Sequence, residues 1–596
     1  IYDYFKDKNV VAINNSWNST LYPLSGLNTV TRSSSFFMDD PDTPSTYIPT
    51  IEQNKVASDL IKLSKEKNIL SVFAAGNEGI SSPGIMALAP YYDEKVRSML
   101  VVGALDRNGI IEHDDGRLQI TLEGATYYSN SLKGAYNFGL VAPGTDIKNV
   151  DASYRAGRAE FRTQSGTSMA APMVTGAAAL VAQKFPFMNG KQIADVLLST
   201  ANRDYIAPKI VVRKTETAYG DKYTIFYLED EIPKKGDGTF DLEQIAKDLD
   251  DEGYWRTAWK GNFLGDLQTM DEGDYPGVQK ITKEELFGQG ILDIDKALNG
   301  IGILDANRLS DSDVKSEYGE TAVYYSLDTQ GNNAEFSNDI SQRKWEANTH
   351  NSKADNLPKN LNDLNVGLIK TGSGILTLSG TNAYEGATVI NEGGLNLKRT
   401  SDKGGEIAGN VYVNNGSTLS GNGIIKKDLT NNGSTVRPGN ADLTDLTIDG
   451  TYTQKGTNSK LVLDFGDSDN SQLIAKSYSI ETGTLEYNPL KTYYTVGKEI
   501  VIQLGDLSAQ LDKFSNITVA SNHGIDFKIE LDTDKTTINK DPNKAPTQPN
   551  TGEQDNGATP PAPTIGEASI GSGATNGGSD SSGGDGSLSG GLDIGN

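Results

Sequence analysis

The sequence predicts a mixed α/β domain built on a buried parallel sheet, followed by a parallel β-helix and a low-complexity tail. Three observations carry that prediction. Short apolar runs, Ile69 to Ala75 and Met99 to Ala104, read as strands covered on both faces, because they lack polar alternation. An alanine-rich run, Met169 to Val181, reads as a buried helix. After about residue 309, Asn, Gly, Thr and Ser rise and long helical periodicity vanishes.

In chain order, Val10 to Asn18 is a strand running into a polar turn. Ile69 to Ala75 ends in Ala74-Ala75-Gly76-Asn77-Glu78-Gly79, and Met99 to Ala104 is the next strand. Gly166-Thr167-Ser168-Met169-Ala170-Ala171-Pro172 then places a serine at the mouth of the small-residue helix, behind a glycine turn. Pro172 is tolerated because the first helical turn has no amide hydrogen bond to lose. The helix points its positive end at Ser168, which favours developing negative charge there. A serine hydroxyl still needs a base and an anion-stabilising pocket to act as a nucleophile. On its own, a serine in this position is equally a helix cap.

The whole run from Gly166, continued by Val174-Thr175-Gly176-Ala177-Ala178-Ala179-Leu180, resembles the nucleophile segment of subtilisin-like serine proteases. The resemblance covers about residues 1–308 and implies a parallel sheet with helices on both faces. It implies that Ser168 is the nucleophile and that Asn77 and the Ser168 backbone N–H stabilise the oxyanion. Ser16, Trp17 and Asn18 resemble the end of the substrate-aligning strand, which pairs with an extended peptide. Asn18 stands where the family usually has glycine, which alters the pocket floor. Ala74, Ala75 and Gly76 form another wall, small enough to admit a large substrate side chain. Tyr128-Ser129-Asn130, Ala142-Pro143-Gly144 and Phe287 to Asp293 resemble later landmarks of the same family, the last leading into a helix that ends near Asn299-Gly300.

The family's triad runs Asp, His, Ser along the chain. The sequence has three histidines, His113, His350 and His523, none in the His-Gly-Thr context of the family. His113 sits in an acidic stretch that reads as an exposed loop. The expectation is therefore a fragment, incomplete at its N-terminus, that carries nucleophile and oxyanion donor without the catalytic Asp and His and is inactive alone.

Two or more domains are expected for 596 residues. The net charge of −25 argues against nucleic-acid binding, since phosphate contact needs a basic surface. The absence of cysteine excludes disulfides, thiol catalysis and cysteine metal sites. The nucleophile helix, the longest apolar stretch, is too short to span a bilayer.

Residues 205–280 read as an insertion in the protease, with Lys209 to Arg213 and Lys222 to Leu228 as strands joined through Gly220-Asp221 and Phe240 to Leu249 as a helix. It is either surface decoration or a rim that selects substrates. Lys191 to Leu198 reads as an amphipathic helix. Residues 309–319 read as a linker.

The stretch from Gly367 to Leu395 alternates short strands with glycine turns, as a β-helix requires, with a β-sandwich as the alternative. It resembles the passenger-associated repeat of bacterial autotransporters, and runs such as Asn414 to Gly423 and Asn431 to Asn440 resemble further coils, over about residues 320–540. That resemblance implies export through an outer-membrane β-barrel translocator belonging to the same full-length chain and a cell-surface or extracellular location on a Gram-negative bacterium. Residues 541–596 are rich in Pro, Gly and Ser and read as a disordered linker.

No cofactor is expected. Many relatives carry structural calcium, but the acidic clusters at Asp237, Asp248 to Glu252 and Asp467 to Asp469 lack EF-hand spacing and read as solvated faces, leaving calcium unassigned. The leading expectation is a surface-displayed serine endopeptidase acting on proteins or peptides. The alternative is an adhesin or structural passenger with a degenerate protease domain.

Overall fold

The computed structural model describes residues 1–17, 55–93, 95–150, 161–217, 220–253, 277–345, 363–400, 402–491, 494, 499–520, 527–531 and 536–540. Asn18, His350, His523 and residues 541–596 lie outside them.

The first part is a subtilisin-like α/β domain. Strands β1 (Ala12–Asn15), β2 (Leu70–Ala74), β3 (Met99–Leu105) and β4 (Gly139–Pro143) are parallel and adjacent in that order. Every residue of β2 and β3 is buried, and successive side chains go to opposite faces. Phe73 and Val101 join a core with Ala57, Leu60 and Leu63 of helix α1 (Lys55–Lys67). Val72 and Leu100 join the other core, with Val174 and Ala178 of helix α2 (Thr167–Lys184) and Ile193 and Leu197 of helix α3 (Gly190–Thr200). Both faces are therefore covered, which is why these strands read as unbroken apolar runs. Among the described residues β1 is an edge strand, and Pro172, Met173, Gly176, Ala179 and Leu180 of α2 are exposed.

Helix α3 departs from its amphipathic reading. Its capping box, Asn189 with Gln192, sets the start as such sequences do. Yet all its residues except Lys191 are buried. One side faces the sheet and the other faces the β-helix, where Gln192 Nε2 donates to Ser326 O at 3.3 Å.

The insertion forms β5 (Ile210–Thr217), β6 (Gly220–Leu228), helix α4 (Leu242–Asp251) and β7 (Val278–Ile281). Strands β5 and β6 are antiparallel, and β7 runs parallel to β6. Their register pairs Thr217 with Gly220, so Gly220 and Asp221 are strand residues rather than the expected turn. Val211 and Phe226 face the protease core, while Ile210, Val212, Ile225 and Tyr227 build a separate small core with Ile245 and Leu249 of α4.

The second part is a parallel β-helix. One ladder runs Ala322–Asp328, Val366–Thr371, Thr388–Ile390, Val411–Asn414, Leu429–Asn432 and Leu446–Lys455. A second runs Ala334–Phe336, Ile375–Leu378, Gly394–Leu397, Thr418–Gly421, Thr435–Pro438, Lys460–Phe465, Thr484–Pro489 and Asn516–Val519. A third, shorter one runs Thr381–Asn382, Glu406–Ile407 and Ile424–Ile425, then merges into Leu446–Lys455. Register stacks Leu376, Leu395, Leu419, Val436, Leu461 and Leu485 into one fully buried column. Each coil thus hides its apolar residues on those of the next.

The two parts share one continuous core that passes from β2 and β3 through α2 and α3 into the coils. Strand Ile303–Asp305 pairs in parallel with Ser341–Arg343 across this joint. A buried ion cluster sits here: Asp195 Oδ2 lies 2.5 Å from Lys191 Nζ, and Oδ1 accepts from Arg308 Nε at 2.8 Å. Arg308 and Arg97 each donate to the other's backbone carbonyl at 2.6 Å.

Candidate functional site

Ser168 lies in the first turn of α2, where backbone N–H groups have no intrahelical acceptor. The preceding Gly166 has φ +150°, and a Cβ there would come within 3.2 Å of Asn77 Nδ2. Glycine therefore allows the serine turn to close against the asparagine. Ser168 is half-buried, and its Oγ donates to Ser16 O at 3.2 Å, while Ser16 Oγ donates back to Ser168 O at 2.8 Å. The reciprocal pair ties the end of β1 to the mouth of α2. Asn14 Nδ2 steadies Ser16 Oγ at 2.8 Å.

Asn77 is exposed, but its carbonyl end is fixed. Oδ1 accepts from Thr167 N at 2.8 Å and Thr167 Oγ1 at 2.9 Å. Gly76 N in turn donates to Thr167 Oγ1 at 3.1 Å. With Oδ1 held this way, the Asn77 amide N–H groups are directed away from Thr167. Ala74, Ala75 and Gly76 are buried behind it. Trp17 is 37% exposed and sets its ring edge-on to Phe73, centroids 5.4 Å apart. The structure thus brings Ser16, Ser168, Gly76 and Asn77 into one bonded cluster, with Trp17 beside it on Phe73.

Three supporting residues were not singled out from sequence. Thr167 orients Asn77, and its place inside the Gly-Thr-Ser run was the available signal. Asn130, noted only within a turn, is a hub: Oδ1 accepts from Glu78 N and Ile80 N, and Nδ2 donates to Ala75 O at 3.1 Å and Glu78 Oε2 at 2.9 Å. Thr215, on insertion strand β5, donates from Oγ1 to Glu78 O at 2.6 Å, and Lys214 N donates to Tyr127 O at 2.7 Å. Nothing local in the sequence marks Thr215, because the contact spans from residue 78 to residue 215. Beside it, Arg213 is buried and donates to the carbonyls of Ala125 and Thr126. Burial pushes its guanidinium down to about 9. The insertion is therefore packed against the Asn77 loop, not merely laid on the surface.

His113 caps the hairpin of Ile110–Glu112 and Leu118–Ile120, where Nε2 meets Gln119 Oε1 at 3.0 Å. Among the described residues no imidazole partners the Ser168 hydroxyl. The acidic reading of Asp248 changes: it is buried and bonded to Tyr227 Oη, Lys209 Nζ and Gln244 Nε2, so it is a structural carboxylate rather than part of a solvated face. Among the described residues no group of three or more His, Cys, Asp or Glu is arranged to hold a metal ion, and no helix is long and apolar enough to cross a membrane.

The fold of the first part is that of a subtilisin-like α/β domain. Residues 1–238 match the subtilase family, and residues 368–397 match the passenger-associated-transport-repeat. Serotype-specific antigen 1 of Mannheimia haemolytica is 32% identical over 200 residues, covering 33% of this chain and 18% of that protein. The neisserial autotransporter lipoprotein NalP of Neisseria meningitidis is 33% identical over 138 residues, 23% of this chain and 12% of its own. An extracellular serine protease of Serratia marcescens is 24% identical over 389 residues, 62% of this chain and 28% of its own. The chain thus spans less than a third of the length of each of these relatives.

Proposed function

We propose that Ser168 is the nucleophile of a serine endopeptidase that cleaves proteins or peptides at the surface of a Gram-negative bacterium. The observation that carries this reading is the clamp of Thr167 N and Oγ1 on Asn77 Oδ1, which ties Asn77 to the turn that carries Ser168. In the reaction Ser168 Oγ attacks the scissile carbonyl, and a base takes the hydroxyl proton. Asn77 Nδ2 and Ser168 N–H stabilise the resulting oxyanion. The C–N bond breaks as the amine leaves with the base's proton, and water then hydrolyses the acyl-enzyme. The substrate backbone pairs beside Ser16 and Trp17, with Ala74, Ala75 and Gly76 as a wall of its pocket.

The base and its orienting aspartate belong to residues other than those described. The open edge of β1 and the bare apolar face of α2, both next to Ser168, suit a segment that packs there and brings the histidine. A β-barrel translocator in the full-length protein is the expected partner for export. Structural calcium has no assigned ligands and no cofactor takes part.

The scaffold reading, an adhesin with a degenerate protease, draws on one observation: the Ser168 hydroxyl donates to a backbone carbonyl. Fluorophosphonate labelling separates the two. The full-length protein takes the label at Ser168 and loses it in Ser168→Ala, whereas the 596-residue chain is labelled at background rate. A full-length protein that resists the label and leaves casein uncut is a scaffold.

A further inference from the structure

The loop that carries Asn77 follows β2 and contains two glycines in the left-handed region, Gly76 at φ +115° and Gly79 at φ +66°. Glycines leave such a backbone free to move unless other groups pin it. Asn77 is exposed, so packing does not pin it. Thr167 holds its side chain at Oδ1. The chain on either side is gripped by one buried side chain, Asn130, in the connection from β3 to β4.

Asn130 spends its whole amide on this loop. Nδ2 donates to Ala75 O at 3.1 Å, before Asn77, and to Glu78 Oε2 at 2.9 Å, after it. Oδ1 accepts from Glu78 N at 2.9 Å and from Ile80 N at 3.2 Å. An asparagine amide has two donor hydrogens and an oxygen with two lone pairs, so all of its capacity is used. The orientation is fixed, because a flipped amide would aim its hydrogens at two N–H groups. The Asn130 backbone N–H also donates to Gly76 O at 2.9 Å. Its chain neighbours extend the grip: Tyr128 O accepts from Gly79 N at 2.8 Å, and Ser131 N donates to Ile80 O at 2.7 Å. Asn130 itself thus bonds to residues 75, 76, 78 and 80, on both sides of Asn77.

We propose that Asn130 is a positioning residue for the oxyanion donor: it fixes the loop backbone from which the Asn77 amide projects, and so acts on the reaction through Asn77. The proposal rests on the endopeptidase reading above, which gives Asn77 an oxyanion to face. Asn130 is 1% exposed, so it reaches a substrate only by way of the loop. A catalytic group displaced by about 1 Å costs on the order of a hundredfold in rate, so a residue that touches no substrate still governs turnover. A core asparagine that merely satisfies loop amides would instead affect stability and leave the chemistry to Asn77.

The test is a double-mutant cycle in the full-length protein, read by peptide hydrolysis. Asn130→Ala is expected to lower kcat by roughly tenfold to a hundredfold with KM little changed. In a protein already carrying Asn77→Ala, the same change is expected to alter kcat by less than about twofold, because the group it positions is gone. Asn130→Ser keeps one hydroxyl to donate and accept; it is expected to lose less, and it carries the same cycle if Asn130→Ala fails to fold. Hydrogen exchange gives a second readout that needs no activity. The amides of Glu78 and Ile80 are expected to exchange at least about tenfold faster in the variant, while those of β2 and β3 keep their protection. Equal losses of kcat in both backgrounds, a rise in KM with kcat unchanged, or faster exchange throughout β2 and β3 overturns the proposal. A full-length protein with Asn130 and Asn77 intact that cleaves nothing overturns the endopeptidase reading itself, and this proposal with it.

Discussion

At the residue scale, function rests on how small groups fix larger ones. Gly166 is the clearest case, because its φ of +150° disfavours other residues and a Cβ there would press on Asn77 Nδ2 at 3.2 Å. Gly166→Ala is expected to cost about 1–3 kcal/mol of stability through backbone strain, read by urea unfolding. Asn77→Ala, assayed in a base-bearing full-length protein, is expected to lower turnover by about 10²–10³, the loss seen when the corresponding donor is removed from a subtilisin, with KM little changed. In the β-helix, buried Lys370 plays a comparable structural part, its ammonium donating to the carbonyls of Gly372, Gly374 and Glu392. Lys370→Met leaves those carbonyls without their donor, and an unfolding free energy lower by about 3 kcal/mol is expected. Ser168 and Asn77 stood out in the sequence because each lies in a short distinctive run, although the structure joins them through bonds 90 and 152 residues apart. It could not show Thr215, whose partner Glu78 lies 137 residues away.

At the element scale, the insertion serves the site through β5. Thr215 Oγ1 holds the Glu78 carbonyl, one residue from Asn77. Thr215→Val keeps the shape and removes the donor. About 1 kcal/mol of stability should be lost in an unfolding titration, and turnover in the active protein should fall more than KM rises, since the loop that aims Asn77 is loosened. An unchanged turnover would make the insertion a bystander to catalysis. The strands β2 and β3 were legible because burial on both faces removes polar alternation. The hairpin turn was misplaced by the Gly220-Asp221 signal, since cross-strand register, not the dipeptide, decides where a turn falls. Helix α3 looked amphipathic because Lys191, Gln192 and Asp195 are polar, yet Lys191 pairs with Asp195 and Gln192 reaches Ser326 O inside the joint.

At the scale of the whole molecule, the protease and the β-helix are stitched by one core and by the Asp195 cluster. Burial alone would raise the Asp195 carboxyl, but Lys191 and Arg308 outweigh it and hold the group below its ordinary value of 3.8. A carboxylate depressed in the folded state stabilises above its unfolded value, and that stability is lost as pH falls through the folded value. The melting temperature should therefore drop below about pH 4, and Asp195→Ala should flatten that drop while costing about 3–5 kcal/mol at neutral pH. Equal acid sensitivity in the variant would show that the joint is not held by this charge.

The sequence by itself determined the two architectures and the small-residue helix that begins at Thr167. Each is written in local periodicity or in a short run whose geometry is intrinsic to the chain. Tertiary structure alone decided that α3 is buried between the two parts, and that β5 and Asn130 brace the Asn77 loop. Those facts depend on contacts between residues far apart in the chain, and such contacts leave no pattern in any one stretch of sequence.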